Sequence, residues 1–132
     1  MITVAESKDY PLLREIFTHE DVWWRIADGD PKGFEVPDWP IYLLARVDDK
    51  PAGIFVLHEA KDGTDSHIQI LPEFRDLKYE IGAAVLKAAK KYTNRITTNI
   101  PKRFPNVHHY ALKFGYEVLR EDDENWYYQK EL

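Results

Sequence analysis

Apolar positions recur along the first third of the chain with spacings that distinguish strands from helices. Residues 2–5 alternate between apolar and polar side chains, which predicts a first strand. The apolar residues between 12 and 17 share one stripe of a helix, which we expect to run to about residue 20. Residues 22–26 either continue this helix or begin a second short one, and residues 28–40 are rich in glycine and proline, which is typical of a loop.

The middle of the chain contains three apolar runs of strand length. Residues 41–47 and 52–58 flank a short charged turn and therefore predict a β-hairpin. After a second turn at 61–65, residues 67–71 predict the next strand, which Pro72 closes. Three consecutive strands are thus expected at the centre of the chain.

The last third of the chain alternates helices and strands. Its predicted elements are a helix, a strand, a short helix and two strands, at residues 81–92, 96–100, 107–114, 116–120 and 126–130. Gly115 occupies the position at which a glycine commonly ends a helix. The full order, β-α-(α)-β-β-β-α-β-α-β-β, predicts one α/β domain over residues 1–132, with helices packed on the faces of a central sheet.

Composition and charge narrow the functional classes. Eighteen basic and 23 acidic residues leave a net charge of −5, which argues against nucleic acid or an anionic membrane as a partner. The absence of cysteine excludes disulfides, zinc–thiolate sites and thiol nucleophiles. The adjacent His108 and His109 point to different faces of a helix, so we expect no metal site. The chain begins without a signal-peptide pattern and has no apolar run of about 20 residues, so we expect a soluble, cytoplasmic domain.

One strand–turn–helix segment carries the most specific pattern in the chain. It reads His-Ile-Gln-Ile-Leu-Pro-Glu-Phe-Arg over residues 67–75 and continues into a helix with Ile-Gly-Ala-Ala at 81–84. A helix that begins after a strand presents unpaired backbone N–H groups, and these can hold a pyrophosphate. This segment, the order of the elements and the Gly-Tyr-Glu sequence at 115–117 resemble the GNAT superfamily of acetyl-CoA-dependent N-acetyltransferases.

The resemblance implies a fold and a reaction. The fold is a mixed, mostly antiparallel sheet with about four helices, and acetyl-CoA lies between its fourth and fifth strands. An amine acceptor attacks the thioester, while backbone N–H groups polarise the carbonyl. The implied cofactor-binding residues are Ile70, Leu71, Arg75, Lys78, Gly82 and Ala83. His67 or Glu59 serves as the base and Tyr110 or a later tyrosine as the acid, although a histidine at a strand end is also often held by structural hydrogen bonds.

The cofactor loop departs from the superfamily pattern R/Q-x-x-G-x-G/A. If Arg75 is the first residue of the pattern, Lys78 and Glu80 occupy its two glycine positions. If the helix sets the register, Leu77 is the first residue, and Glu80 and Gly82 occupy the glycine positions. In both registers a carboxylate replaces a glycine, and it repels a pyrophosphate unless it points away. Cofactor affinity would then depend on Arg75 and Lys78.

A second departure and a narrower resemblance suggest a non-catalytic alternative. Many superfamily members have a tyrosine acid four residues before the late glycine, where this chain has Ala111. The Ile-Pro-x-x-x-Pro-Asn-Val sequence at 100–107 looks like that of small GNAT-fold proteins of tailed bacteriophages. Some of those are head-assembly or DNA-transfer proteins of the virion. The second hypothesis is therefore a virion, head-assembly or DNA-ejection protein that binds other phage structural proteins, located in the host cytoplasm and then in the virion.

Four aromatic residues cluster in or near the loop that precedes the hairpin. They are Trp23, Trp24, Phe34 and Trp39. In the GNAT fold this region borders the acceptor side, so the four residues form a recognition wall, part of the core or an oligomer contact.

Overall fold

The computed structural model describes residues 1–61 and 63–132. Its strands are β1 (Ile2–Glu6), β2 (Ile41–Val47), β3 (Lys50–Ala60), β4 (Gly63–Ile70), β5 (Arg95–Pro101), β6 (Glu117–Glu121) and β7 (Asn125–Glu131). Its α-helices are α1 (Tyr10–Phe17), α2 (Glu20–Ile26), α3 (Lys78–Ala89) and α4 (Pro105–Lys113), and two 3-10 turns span Pro31–Gly33 and Pro72–Leu77. None of the helices in these two segments has the length and apolar character needed to span a membrane.

In these two segments the seven strands form one sheet in the order β1-β2-β3-β4-β5-β7-β6. All neighbouring strands in the described chain run antiparallel except β4 and β5, which are parallel. The predicted fold is confirmed: a mixed, mostly antiparallel sheet with four α-helices among the described residues.

The two faces of the sheet bury different helices. Leu43 and Phe55 lie on the face that packs against α3, where Ile81 is fully buried. Leu44, the next residue along β2, lies on the opposite face with Leu13 of α1, as the alternation of side chains along a strand requires. Each helix therefore covers one face of the same central strands.

Two element boundaries bear on the sequence prediction. The end of the first helix decides between its two alternatives, and the start of β4 differs from it. The first helix ends at Phe17, and a separate helix α2 follows, with the His19 ring accepting a hydrogen bond from the Asp21 N–H at 3.1 Å. Strand β4 begins at Gly63, four residues earlier than predicted, because β3 extends to Ala60 and pairs with it. The prediction of a turn at 61–65 was therefore wrong for residues 63–65, which belong to β4. Asp62, which the same prediction included, lies outside the described residues.

Helix α4 ends as predicted. Gly115 has a φ of +82°, and its N–H donates to the Leu112 carbonyl at 3.0 Å. The N–H of Tyr116 donates to the Ala111 carbonyl at 3.2 Å, which completes a Schellman motif. This turn directs Tyr116 back towards the centre of the sheet, where it packs against Tyr128.

Candidate active site

A cleft opens where β4 and β5 separate. Within the described chain the two strands pair only at Thr64 with Ile96 and at Asp65 with Thr97. At this fork the Ser66 hydroxyl donates to the Thr97 carbonyl at 2.9 Å. Beyond the fork, the β5-facing edge of β4 borders a cleft of about 640 Å³. Backbone groups on that edge are consequently available to a ligand.

The walls of the cleft are largely apolar. Ile68 and Ile70 contribute from β4, Ile100 from β5, and Phe104 and Val107 from the N-terminal end of α4. Asn99 and Asn106 add polar groups on the β5 side. A mainly apolar cleft with a few polar groups is the usual form of a small-molecule site.

Among the described residues, three cationic side chains line the cleft: Arg25, Arg75 and Lys78. The Arg75 Nε donates to the Ile70 carbonyl at 3.2 Å and its Nη2 to the Asp21 carbonyl at 3.1 Å, so Arg75 joins β4 to α2. Burial and the neighbouring charge of Arg25 lower the pKa of Arg75. Like charges held close together favour an anionic ligand, because an anion relieves their repulsion.

The start of α3 is packed against α4. Gly82 is buried, and a Cβ added there would lie 2.6 Å from Cζ of Phe114 and would also meet the Tyr110 hydroxyl. Glu80 and Ala83 are exposed. The glycine at position 82 therefore lets two aromatic side chains approach the helix closely.

Tyr110 joins the two helices. Its hydroxyl donates to the Lys78 carbonyl at 2.6 Å. Burial, with smaller effects from Tyr116 and Tyr79, raises the pKa of Tyr110 far above its usual value. The ring centroid of Tyr110 lies 5.1 Å from that of Phe114 and 5.6 Å from that of Tyr79. We refer to Tyr79, Tyr110 and Phe114 as the aromatic bridge.

Another tyrosine lies in the cleft itself. Tyr116 lines the cleft near the fork. Burial raises the pKa of Tyr116 to about 12, and a hydrogen bond with the Ser66 side chain opposes this shift. The other two late tyrosines have hydroxyl partners elsewhere, because Tyr127 donates to Asp122 at 2.8 Å and the Tyr128 hydroxyl lies 2.6 Å from Nδ1 of His108.

Three polar residues converge on the β3–β4 hairpin. His58 lies directly opposite Asp65 in the ladder, and His67 follows two residues later on the same face of β4. The Asp65 Oδ2 lies 3.0 Å from Nε2 of His67 and 3.2 Å from Nε2 of His58. We refer to these three residues as the hairpin cluster.

The charge of Asp65 is stabilised by its neighbours. Burial alone would raise the pKa of Asp65, but the His67 hydrogen bond and the charges of His67 and His58 hold it below its usual value. The Thr97 hydroxyl also donates to Oδ1 of Asp65 at 3.3 Å. Trp39 packs its ring edge-to-face against His58, with ring centroids 5.4 Å apart.

The structure brings together five of the nine residues predicted from the sequence. Those that line the cleft are His67, Ile70, Arg75, Lys78 and Tyr110. Among the described residues, the predicted ones that do not line it are Glu59, Leu71, Gly82 and Ala83.

The sequence prediction missed Arg25, His58 and Asp65. Asp65 was assigned to a turn, so the Asp-x-His spacing on one strand face and its register with His58 went unused. Arg25 reaches the cleft through the packing of α2, which the local sequence does not indicate.

The four aromatic residues divide into two pairs. Trp23 and Phe34 are half-buried, with ring centroids 5.1 Å apart, and Phe34 packs against Phe17 in the core. Trp24 and Trp39 remain 50% and 67% exposed. The core alternative therefore applies to Trp23 and Phe34, whereas the recognition role of Trp24 and Trp39 remains a prediction.

The fold is that of GNAT proteins. A GNAT-family acetyltransferase from Streptococcus pneumoniae matches with a TM-score of 0.72 at 17% identity, with 100% of each chain covered. PaiA N-acetyltransferase from Thermoplasma acidophilum, solved in complex with coenzyme A, matches with a TM-score of 0.70 at 13% identity, over 100% of this chain and 99% of that one. Campylobacter jejuni N-acetyltransferase PseH in complex with acetyl-CoA matches with a TM-score of 0.69 at 12% identity, over 99% of each chain.

The similarity concerns the fold. No model of a known protein family matches the sequence. No curated protein matches it either.

Proposed function

We propose that the chain binds acetyl-CoA in the cleft between β4 and β5 and transfers the acetyl group to an amine. The observation that carries this proposal is the fork after Asp65, which leaves one edge of β4 facing an apolar cleft with cations around it. Solved structures with the same fold include N-acetyltransferases in complex with coenzyme A or acetyl-CoA.

The cleft suits the two chemical parts of the cofactor. The amide groups of the pantetheine arm pair with backbone groups on the β5-facing edge of β4 around Ile68, as an added strand pairs with a sheet edge. The phosphates lie near Arg25, Arg75 and Lys78, because charge-assisted hydrogen bonds to phosphate oxygens are strong. Glu80 is exposed and is not among the described residues that line the cleft, so its carboxylate does not oppose the phosphates there.

The reaction is an acyl transfer between two nucleophiles. The amine nitrogen forms a bond to the thioester carbon, the carbon–sulfur bond breaks, the amine loses a proton and the coenzyme A thiolate gains one. Tyr116 is the proposed proton donor to the thiolate, because it lines the cleft and carries a hydroxyl that is protonated at neutral pH. Of the two predicted bases, His67 lines the cleft and remains a prediction, whereas Glu59 is exposed outside it.

Calorimetric titration with acetyl-CoA tests the proposal. We expect saturable 1:1 binding to the intact chain with a micromolar dissociation constant. Lys78→Ala should weaken binding about tenfold, because one charged hydrogen bond to phosphate is lost. Lys87→Ala is the matched control, since Lys87 is an exposed lysine of the same helix, and it should leave binding unchanged.

Two outcomes of this titration would overturn the proposal. One is the absence of binding at millimolar acetyl-CoA, and the other is an equal loss in the Lys78 and Lys87 variants. The non-catalytic phage alternative, with its virion partners, and the cytoplasmic location remain predictions from the sequence. None of the solved structures named above is described as a phage protein.

A further inference from the structure

We infer that the hairpin cluster is a binding site for a divalent first-row metal ion of the Zn²⁺ type. Its three ligand atoms are Nε2 of His58, Oδ2 of Asp65 and Nε2 of His67. Two imidazoles with one carboxylate form a known donor set for zinc, with the remaining coordination position open to water or substrate.

The separations of the three atoms fit such an ion. Each imidazole Nε2 lies 3.0 or 3.2 Å from the Asp65 oxygen, and all three atoms lie within 4.8 Å of one another. Ligands at zinc–nitrogen and zinc–oxygen distances of about 2.1 Å in a tetrahedral site are about 3.4 Å apart. The two nitrogen–oxygen separations are shorter than this value by about 0.4 and 0.2 Å, so the imidazoles need to move only slightly away from the Asp65 oxygen to surround an ion.

The hydrogen bonding of His58 is compatible with a role as a metal ligand. Its Nδ1 lies 3.3 Å from the Glu59 carbonyl, and because a carbonyl only accepts, this contact is a hydrogen bond when Nδ1 carries the hydrogen. In the neutral ring Nε2 is then an acceptor, and it faces the Asp65 carboxylate, which is also an acceptor, at 3.2 Å. Two acceptors at this distance need a cation between them, either a proton or a metal ion. Metal-ligating histidines commonly donate their other N–H to a backbone carbonyl, as His58 does.

The surroundings hold the ligands in place. The Thr97 hydroxyl donates to Oδ1 of Asp65 and so leaves Oδ2 to face the histidines. His58 and Asp65 are opposite each other in the ladder, and the exposed Trp39 packs against the His58 ring. The side chains of His58, Asp65 and His67 are 22%, 19% and 38% exposed, which leaves a path for an ion from the cleft lined by His67.

The site does not depend on the proposed acetyl transfer. A His67 ring that binds an ion through Nε2 carries its hydrogen on Nδ1 and does not act as a base in that state. Metal binding and acetyl-CoA binding are therefore measured by separate titrations, and either can fail alone.

Titration of the untagged, EDTA-treated chain with ZnCl₂ tests the inference. We expect 1:1 binding with a dissociation constant in the micromolar range or below, and visible absorption bands when Co²⁺ is used instead. His58→Ala and Asp65→Asn should each weaken zinc binding about 100-fold or more, because each removes one ligand atom. His109→Ala is the control, since His109 is exposed on α4 and outside the cluster, and it should leave binding unchanged.

Several results would overturn the inference. Absence of 1:1 zinc binding to the wild-type chain would show that only a proton lies between His58 and Asp65. An equal loss in His58→Ala and His109→Ala would place the ion elsewhere. Asp65→Asn preserves the shape of the side chain, so its urea unfolding curve, with that of the wild type, separates loss of a ligand from loss of the fold.

Discussion

The cleft has one end at the start of α3 and the other at the β3–β4 hairpin. The two ends differ in how well the local sequence indicates what their residues do. The α3 end lies in the segment that resembles a known motif, yet Gly82 packs against the aromatic bridge and does not line the cleft. The β3–β4 hairpin matches no motif, yet it contains a connected group of His58, Asp65 and His67 with Thr97 behind it. A glycine in a motif can thus serve packing, whereas strand register alone can assemble a polar site.

The largest expected effect tests the packing at the α3 end. Gly82→Val should destabilise the fold by about 3 kcal/mol, because the new side chain overlaps Phe114 and Tyr110. Ala83→Val is the matched control: Ala83 is the exposed next residue of α3, so this change should cost only about 0.5 kcal/mol of helix propensity. Urea unfolding of both variants measures the difference, and equal losses would show that the aromatic bridge does not contact Gly82 in solution.

The same contrast between local pattern and strand register explains which parts of the fold could be predicted from the sequence. The strands and helices were predicted from apolar periodicity, which burial on one or both faces imposes on the chain. The start of β4 was misplaced because Gly63, Thr64 and Asp65 are typical turn residues. They are part of a strand because they pair with Ala60, Glu59 and His58 at the end of β3, and the residues themselves do not encode this pairing.

The same reasoning applies to the site. Arg75 and Lys78 were predicted from the resemblance of their segment to a phosphate loop between a strand and a helix, and both line the cleft. His58 and Asp65 became neighbours only through the hairpin register, and Arg25 only through the position of α2. The sequence therefore indicated Arg75 and Lys78 at the cationic end of the cleft, but only His67 of the hairpin cluster.

Two variants, one at each end of the cleft and each titrated with both ligands, test whether the ends act separately. We expect effects of about tenfold. Arg25→Gln should weaken acetyl-CoA binding about tenfold and leave zinc binding unchanged, because Arg25 is a cleft cation outside the hairpin cluster. Thr97→Val should weaken zinc binding about tenfold, because Asp65 loses its hydrogen bond from Thr97, and should leave acetyl-CoA binding unchanged. Calorimetry of both variants with both ligands gives four values.

The pattern of these four values separates the two ends. If each variant weakens both ligands equally, the two ends do not act as independent sites and the contrast between them is wrong. Unfolding curves of the two variants serve as the control for global effects.

The smallest expected effect concerns Tyr116, which lies at the fork between the two ends. Burial raises its pKa from 10.0 to about 12 in the folded chain. The folded state therefore keeps a proton that the unfolded state releases, so the stabilisation is complete below pH 10 and is lost as the pH rises towards 12. At pH 11 the loss of stability from this group is about 1 kcal/mol.

Urea unfolding at pH 9 and pH 11 measures this loss. The free energy of unfolding should decrease less for Tyr116→Phe than for the control Tyr127→Phe, since the half-exposed Tyr127 lies outside the cleft lining. Equal decreases in the two variants would mean that the Tyr116 hydroxyl is solvated and that the fork is open to water.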